Sequence, residues 1–199
     1  MQADITVITA TIGSRDLLLQ RAINSVKAQT LQPKHHLIKM DTHRQGGAAV
    51  IDQLLDEVTT KYVAVLDDDD EFFPNHLELC YNKIMETDAD LVYPGFEYFS
   101  QRNMGHLEKN FGEPWSNDNI HQTTITTLAK TDVIREVGGY SKDWDPESFN
   151  VDGTGNRIGY DFLMVQRLAA AGKHIVHLAE RTWCYHDDRA STLGMASRT

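Results

Sequence analysis

Apolar positions in the first part of the chain alternate between two spacings. Ile5 to Thr9 is a short run of apolar and β-branched residues, which is typical of a buried strand. The next apolar positions recur at helical spacing and are Leu18, Leu19, Ala22, Ile23 and Val26. Ser14 is the predicted N-cap of this helix, because Ser caps helix N-termini well. The pattern predicts a strand followed by an amphipathic helix.

The strand–helix unit repeats along residues 32–93. Further strands are predicted at His36 to Met40, Tyr62 to Leu66 and Leu91 to Tyr93. A helix with its apolar face at residues 50–58 lies between the second and third strands. Asn75 and Glu78 have the spacing of a capping box, which predicts a helix from there through Glu86. This alternation is typical of a mostly parallel, Rossmann-like α/β sheet with helices on both faces.

Residues 94–199 have a less regular pattern. Strands are predicted at Gly95 to Ser100, Thr123 to Leu128, Lys173 to Leu178 and Thr182 to Tyr185, and helices at Asp132 to Val137 and Tyr160 to Ala171. Ser141 to Gly159 is too long and too polar for a core segment and predicts a mobile loop. We expect a smaller region of mixed sheet here, within a single domain that covers residues 1–199.

Length and composition also favour one packed domain. The chain has 199 residues, of which 41% are hydrophobic. Its formal net charge of -10 disfavours nucleic-acid partners, which need a basic face. Cys80 and Cys184 lie far apart without CxxC spacing, so neither a disulfide framework nor a structural zinc site is indicated. The sequence carries no pattern of a signal peptide and no run of about 18 apolar residues, so we expect a cytoplasmic protein without a membrane span.

Five consecutive acidic residues, Asp67 to Glu71, directly follow the third predicted strand. Because the strand anchors them, they cannot all point into solvent, and a bound cation would relieve their mutual repulsion. Mg²⁺, Mn²⁺ and Ca²⁺ prefer oxygen ligands of this kind. Ligands of open α/β sheets bind beyond the carboxyl ends of the strands, where Asp41 and Thr9 to Thr11 would also lie. The alternative is a solvated acidic turn.

Several separated segments together resemble the family 2 glycosyltransferases of GT-A fold. The resembling segments are ITVITATIGSRDLLLQRAINSVKAQT, YVAVLDDDDEFFPNHLE, TTITTLAKTDVIREVGGY, GYDFLMVQRLAAAGKHIV and, more loosely, RTWCYHDDRAST. The second segment is similar to the strand that ends in the family's DxD metal motif. The resemblance implies a GT-A domain in which residues 1–93 bind the nucleotide and residues 94–199 contact the acceptor and supply the catalytic base.

The resemblance implies transfer of a sugar from a nucleoside diphosphate donor, by family habit a UDP-sugar, usually with inversion. The implied nucleotide-sugar contacts are Thr9, Ala10, Thr11, Arg15, Asp41, Arg44, Gly46, Gly47, Asp67 and Asp68. Asp41 would accept a hydrogen bond from the base or the ribose, and the two glycines would allow close backbone approach. The alternatives are a turn cap after the strand for Asp41 and ordinary loop residues for the two glycines.

Metal and base assignments follow from the same resemblance. Asp67 and Asp69 are the expected ligands of Mn²⁺ or Mg²⁺, and His186 is the candidate third ligand. Asp161 is the implied general base, which takes the proton from the attacking acceptor hydroxyl. The alternatives are a surface role for His186 and a helix N-terminal role for Asp161. Where the family often has two adjacent acids, this chain has Tyr160 before Asp161.

The acceptor is left open by the sequence. A glycan, a small molecule, a protein or a modified nucleic-acid base would each fit the fold, provided that it carries a free hydroxyl. Trp115 and Trp144 are candidates for stacking on sugar or base rings, and Arg189, like Arg44, for neutralising the diphosphate. Two other functions would use the same acidic cluster: a noncatalytic module that binds nucleotide-sugar or Ca²⁺, and a nucleotidyltransferase. A Gly-rich and Arg- or Lys-rich phosphate loop, which would favour the latter, does not follow the first strand.

Overall fold

The computed structural model describes residues 2–100, 126–145 and 159–187. Its strands are β1 (Gln2–Thr11), β2 (Gln32–Met40), β3 (Tyr62–Val65), β4 (Glu71–Phe72), β5 (Leu91–Ser100), β6 (Leu128–Lys130) and β7 (Ile175–Asp187). Its helices are α1 (Asp16–Lys27), α2 (Gly47–Glu57), α3 (His76–Thr87), α4 (Thr131–Glu136) and α5 (Tyr160–Ala170). Within these ranges, no helix is both long and apolar enough to cross a membrane.

The seven strands form one sheet in the order β2-β1-β3-β6-β5-β7-β4. β1 pairs in parallel with β2 and β3, as the repeated strand–helix unit predicts. β6 lies between β3 and β5 and is antiparallel to both, while β5 and β7 are parallel to each other. The sheet therefore has a parallel half built by residues 2–65 and a mixed half built largely by the later strands, as expected.

Helices cover both faces of the sheet, and alternate side chains of β3 pack against the helices of the two faces. Val63 and Val65 join the core cluster that includes apolar residues of α2, α4 and α5. Tyr62, Ala64 and Leu66 join the second cluster, which includes apolar residues of α1 and α3. Because successive side chains of a strand point to opposite faces, a continuous apolar run such as this one is buried on both sides.

One predicted N-cap residue is wrong, and one predicted capping box does not form. Arg15, and not Ser14, occupies the N-cap position of α1, and no side chain caps that helix. Asn75 occupies the N-cap position of α3 as predicted, but its side chain makes no capping hydrogen bond. Glu78 accepts a hydrogen bond from the Thr30 hydroxyl at 2.7 Å instead of closing the capping box. At α3 a contact outside the helix thus replaces the local one that the motif predicts.

Strand boundaries differ from prediction where the sheet bends. The runs predicted separately at 91–93 and 95–100 form the single strand β5, and those at 173–178 and 182–185 form β7. The register between β5 and β7 shifts around Gly95, where the apolar pattern is interrupted. The short β4 inside the acidic segment was not predicted. Of the predicted loop at 141–159, residues 146–158 lie outside the described part of the chain.

The carboxyl ends of β1, β2 and β3 meet at one edge of the sheet. The backbone N–H of Asp41, just after β2, donates to the carbonyl of Thr11 at 2.8 Å. The N–H of Leu66, just after β3, donates to the carbonyl of Ile8 at 3.1 Å. The segments that leave these three strands are therefore neighbours, which is the arrangement that the ligand sites of open α/β sheets require.

Candidate active site

Three acidic side chains converge where β3 ends. The ligand oxygens of Asp67, Asp69 and Asp70 all lie within 4.8 Å of one another. The turn that gathers them is closed by the N–H of Asp70, which donates to the carbonyl of Asp67 at 3.2 Å. Sequence reasoning predicted Asp67 and Asp69 as ligands and missed Asp70, although it belongs to the same acidic run. We name these three side chains the oxygen cluster.

The oxygen cluster is electrostatically unfavourable without a cation. Burial, followed by the charges of Asp69, Asp68 and Asp161, raises the pKa of Asp67 well above its usual value. Burial and the charges of Asp67 and Asp69 likewise raise the pKa of Asp70. Three close carboxylates that resist ionisation together are a suitable ligand set for a hard divalent ion, which would stabilise their charged forms.

Asp68 is not one of the three residues of the oxygen cluster and is hydrogen-bonded within the protein. Its carboxylate accepts a hydrogen bond from the Thr11 hydroxyl at 2.6 Å and one from Arg15 Nη1 at 2.7 Å. The same Arg15 nitrogen lies 3.1 Å from Asp69 Oδ2. Arg21 of α1 donates to the backbone carbonyl of Asp69. Arg15 thus joins the start of α1 to two consecutive acids, and Thr11 ties the end of β1 to the same turn.

The three predicted nucleoside contacts on β1, Thr9 to Thr11, have different neighbours in the structure. Thr11 reaches the acidic turn through Asp68. The Thr9 hydroxyl is buried and lies 3.0 Å from His36 Nε2, within hydrogen-bond distance. Ala10 is half-buried and packs against the core cluster on the α2 side. The structure therefore connects one of the three, Thr11, directly to the acidic cluster.

Asp41 shapes the loop that joins β2 to α2. Its carboxylate accepts hydrogen bonds from the N–H groups of Gln45 at 2.9 Å and Gly46 at 2.8 Å. Burial alone would raise the pKa of Asp41, but the backbone N–H groups around it outweigh burial and lower that pKa. The loop places Arg44, which is exposed, at φ 55° and Gly46 at φ 90°. The carboxylate therefore has the contacts of a turn cap, beside the carboxyl end of β1.

Gly47 marks a close approach between this loop and the start of α5. A Cβ atom at Gly47 would lie 3.1 Å from the Tyr160 hydroxyl. The Tyr160 ring contacts Trp144 and Tyr140 edge-on, with ring centroids 5.7 and 6.5 Å apart. Burial, with Asp67 and Asp161 nearby, raises the pKa of Tyr160 well above 10, so its hydroxyl stays protonated. Three aromatic rings thus pack together next to the start of α5, which carries the predicted base.

Asp161 is the second residue of α5 and is half-buried. Burial raises the pKa of its carboxyl to about 6, against two backbone N–H contacts that lower it. Because the charge of Asp161 contributes to the raised pKa of Asp67, the two carboxyls share one electrostatic environment. A carboxylate with a pKa near neutrality is well suited to accept a proton. Trp115 and Arg189, also named from the sequence, lie outside the described residues.

His186 belongs to a neighbouring group of side chains. Its ring Nε2 lies 3.0 Å from Glu71 Oε1, and Cys184 completes a set whose ligand atoms lie within 4.8 Å of one another. Its backbone N–H donates to Asp70 Oδ1 at 2.9 Å. The expectation that His186 binds the same ion as Asp67 and Asp69 stays a prediction. No pattern in the sequence predicts the pairing of Glu71 with Cys184, because β4 is only two residues long.

Comparison with known proteins gives a family match in one part of the chain. Residues 13–110 match the model of Glycosyl transferase family 2. This segment contains α1, β2, α2, β3, the acidic turn and α3. A search of curated proteins finds no match.

Three solved structures with the same fold are distant in sequence. The structure of TarS from S. aureus superposes with a TM-score of 0.71 at 14% identity over 92% of this chain and 36% of that one. TarS 1–349 in complex with UDP-GlcNAc gives 0.70 at 13% identity over 94% and 60%. The mannosyltransferase PcManGT from Pyrobaculum calidifontis, in complex with GDP-Man and Mn²⁺, gives 0.60 at 13% identity over 93% and 57%. The chain thus has the GT-A fold of these proteins and spans between about a third and three fifths of their lengths.

Proposed function

The chain belongs to glycosyl transferase family 2 through residues 13–110, and we propose that it is a metal-dependent, inverting glycosyltransferase that uses a nucleoside diphosphate sugar. The observation that carries the proposal is the oxygen cluster at the carboxyl end of β3, with its ligand atoms within 4.8 Å of one another. Asp161 lies in the same electrostatic environment. A cation site and a base are the two groups that this chemistry needs from the protein.

The residues of the oxygen cluster fit Mn²⁺ or Mg²⁺. Both ions prefer carboxylate oxygens, and burial together with the neighbouring carboxylates raises the pKa values of Asp67 and Asp70. A bound ion would neutralise charge on the departing diphosphate. PcManGT, which shares the fold, is described in complex with GDP-Man and Mn²⁺. Asp70 is our third oxygen ligand in place of His186, whose ring lies against Glu71.

The nucleotide is assigned to the edge formed by the ends of β1, β2 and β3. Thr11, Asp41 and the turn at Asp67 and Asp68 meet there. Gly46 and Gly47 bring the start of α2 to this edge without side chains, so backbone can approach a ligand closely. Arg15 and Arg44 are the neighbouring cations, of which Arg44 is exposed. We favour a UDP-linked donor, because TarS 1–349 is described in complexes with UDP and with UDP-GlcNAc.

Asp161 is proposed as the general base. The acceptor oxygen forms a bond to the anomeric carbon as the bond from that carbon to the diphosphate oxygen breaks. The proton of the acceptor hydroxyl goes to the Asp161 carboxylate, and the electron pair of the broken bond leaves with the nucleoside diphosphate. Attack from the side opposite the diphosphate inverts the anomeric centre. We propose Trp144 and Tyr160, whose rings contact each other beside Asp161, as the residues that shield this side from water and contact an acceptor.

The test is product formation by matched variants. The wild-type chain with Mn²⁺ is offered UDP- and GDP-sugars together with glycan, peptide and small-molecule acceptors, and the release of diphosphate is measured with the mass of the acceptor. We expect transfer by the wild type and a loss of at least about 100-fold in Asp161→Asn. Asp132→Asn, whose side chain is 96% exposed, is the control and should retain activity.

Two results would contradict the proposal. Transfer by Asp161→Asn at the wild-type rate would remove Asp161 as the base. Metal-dependent binding of a nucleotide-sugar, without transfer or hydrolysis across the acceptor panel, would identify a noncatalytic binding module instead.

A further inference from the structure

A second set of metal-binding atoms lies on the strands beside the oxygen cluster. Glu71 of β4 is directly opposite Cys184 of β7 in the antiparallel register. His186 lies two residues farther along β7, so its side chain is on the same face of the sheet as that of Cys184. The ligand atoms of Glu71, Cys184 and His186 all lie within 4.8 Å of one another. We name these three side chains the mixed-ligand cluster.

The two clusters offer different donor atoms. The oxygen cluster contains carboxylates alone, which suits Mg²⁺ or Mn²⁺. The mixed-ligand cluster offers one sulfur, one imidazole nitrogen and one carboxylate oxygen. Sulfur and imidazole donors together select Zn²⁺ and similar transition ions over Mg²⁺. We propose that Glu71, Cys184 and His186 bind Zn²⁺ at a second site, separate from the ion of the oxygen cluster.

His186 supplies an independent observation in favour of a ligand. Its side chain is only 8% exposed, and its Nε2 lies 3.0 Å from Glu71 Oε1. Its Nδ1 is buried and has no hydrogen-bond partner within the described part of the chain. A buried ring nitrogen without a partner is unusual in a stable protein, because its desolvation is not compensated. Ligation of an ion through Nδ1 would provide the missing partner, and Nε2 would keep its contact with Glu71.

Carboxylates lie beside Cys184 on both neighbouring strands. Glu71 of β4 is opposite Cys184 in the antiparallel register, and Glu97 of β5 lies next to it in the parallel register. A divalent ion held by Cys184 would therefore be surrounded by negative charge, to which the coordinated thiol adds because it gives up its proton.

The mixed-ligand cluster is linked to the oxygen cluster by one hydrogen bond. The backbone N–H of His186 donates to Asp70 Oδ1 at 2.9 Å. An ion that holds His186 in place would also hold this donor against Asp70. Zn²⁺ at the second site would therefore stabilise the position of one carboxylate of the oxygen cluster, which gives the site a structural role that is independent of turnover.

Cobalt spectroscopy tests the proposal without an activity assay. Co²⁺ is titrated into the metal-free protein in excess Mg²⁺, which occupies the oxygen cluster, and the near-ultraviolet thiolate-to-cobalt charge-transfer band is recorded. We expect the band to appear, to saturate at one Co²⁺ per chain and to disappear on addition of one equivalent of Zn²⁺. Cys184→Ser should lose the band. Cys80→Ser is the matched control, because Cys80 is the other free, buried cysteine, and it should keep the band.

A third variant keeps the proposal falsifiable if Cys184→Ser does not fold. Glu71→Gln retains the thiol and should show the band with an affinity for Co²⁺ lowered about 10-fold or more. The proposal is overturned if the wild type shows no charge-transfer band at saturating Co²⁺, if folded Cys184→Ser keeps it, or if Glu71→Gln binds Co²⁺ as tightly as the wild type. None of these results depends on whether the chain transfers sugar.

Discussion

At the scale of single residues, Asp161 is the group whose protonation state controls the proposed reaction. The carboxylate must be ionised to accept a proton from the acceptor, and burial raises its pKa to about 6. An acid with a raised pKa is protonated, and so inactive as a base, below that value. Its basic form dominates above it.

We therefore predict that kcat/KM rises as pH increases through about 6 and is level above that value. The measurement is initial rate against pH at saturating Mn²⁺, with diphosphate binding recorded at each pH to separate loss of the ion from loss of the base. A rate that stays constant down to the ordinary pKa range of an aspartate would contradict the assignment.

Asp68 illustrates a residue that the sequence assigned to the nucleotide and that the protein uses internally. It joins Thr11 and Arg15 through hydrogen bonds of 2.6 and 2.7 Å. We predict that Asp68→Ala lowers the free energy of unfolding by about 1–3 kcal/mol, since it removes the hydrogen bonds that this buried carboxylate accepts from Thr11 and Arg15. Urea denaturation measures this, with Asp132→Ala as the exposed control, expected to change it by less than about 0.5 kcal/mol. Equal unfolding free energies for both variants would show that the network contributes nothing.

At the scale of elements, the β2–α2 loop depends on a backbone conformation that only glycine adopts freely. Gly46 has φ 90° and ψ 155° and donates its N–H to Asp41. Space is not the constraint, because a Cβ there would have no atom within 4 Å. The loop conformation itself would have to change to accept a side chain.

We predict that Gly46→Ala costs about 1–3 kcal/mol of stability and weakens nucleoside diphosphate binding, because the loop that carries Asp41 is displaced. Gly13→Ala is the control, since Gly13 has no positive φ and a Cβ there would make an ordinary contact of 3.6 Å with Met40. Thermal unfolding and calorimetric titration report the two effects. If Gly46→Ala matches Gly13→Ala in both, the strained loop has no part in donor binding.

Elements with a clear apolar period could be predicted from the sequence, and elements set by distant pairing could not. β1, α1, α2 and α5 follow the spacing of their own residues. β4 is two residues long and exists because it pairs with β7, more than a hundred positions away. The capping box of Asn75 and Glu78 does not form for a similar reason, since Glu78 accepts a hydrogen bond from Thr30 instead. The acidic turn was predictable as a site. The sequence could not show that Asp67, Asp69 and Asp70 form the oxygen cluster while Asp68 accepts a hydrogen bond from Thr11, because these contacts depend on the fold.

At the scale of the whole molecule, the sheet brings two halves of the chain to one edge. The parallel strands β1 to β3 present the acidic turn and Asp41. The inserted antiparallel β6 places β5 and β7 beyond them, so that β7 runs beside β4 and brings His186 to the same turn. Residues 159–161 return to this region through the contact between Tyr160 and Gly47. The site therefore requires both halves, although the family match covers only residues 13–110.

The central claim is that the oxygen cluster binds a nucleoside diphosphate through a divalent ion, and calorimetry tests it most directly. UDP, GDP, CDP and dTDP are titrated with and without Mn²⁺ into the wild type and into Asp69→Ala. The account predicts that one diphosphate, which we expect to be UDP, binds with Mn²⁺ and binds at least about tenfold more weakly, or about 1.4 kcal/mol, without the ion or in the variant. Binding of none of the four, or binding that neither Mn²⁺ nor Asp69→Ala changes, would contradict it.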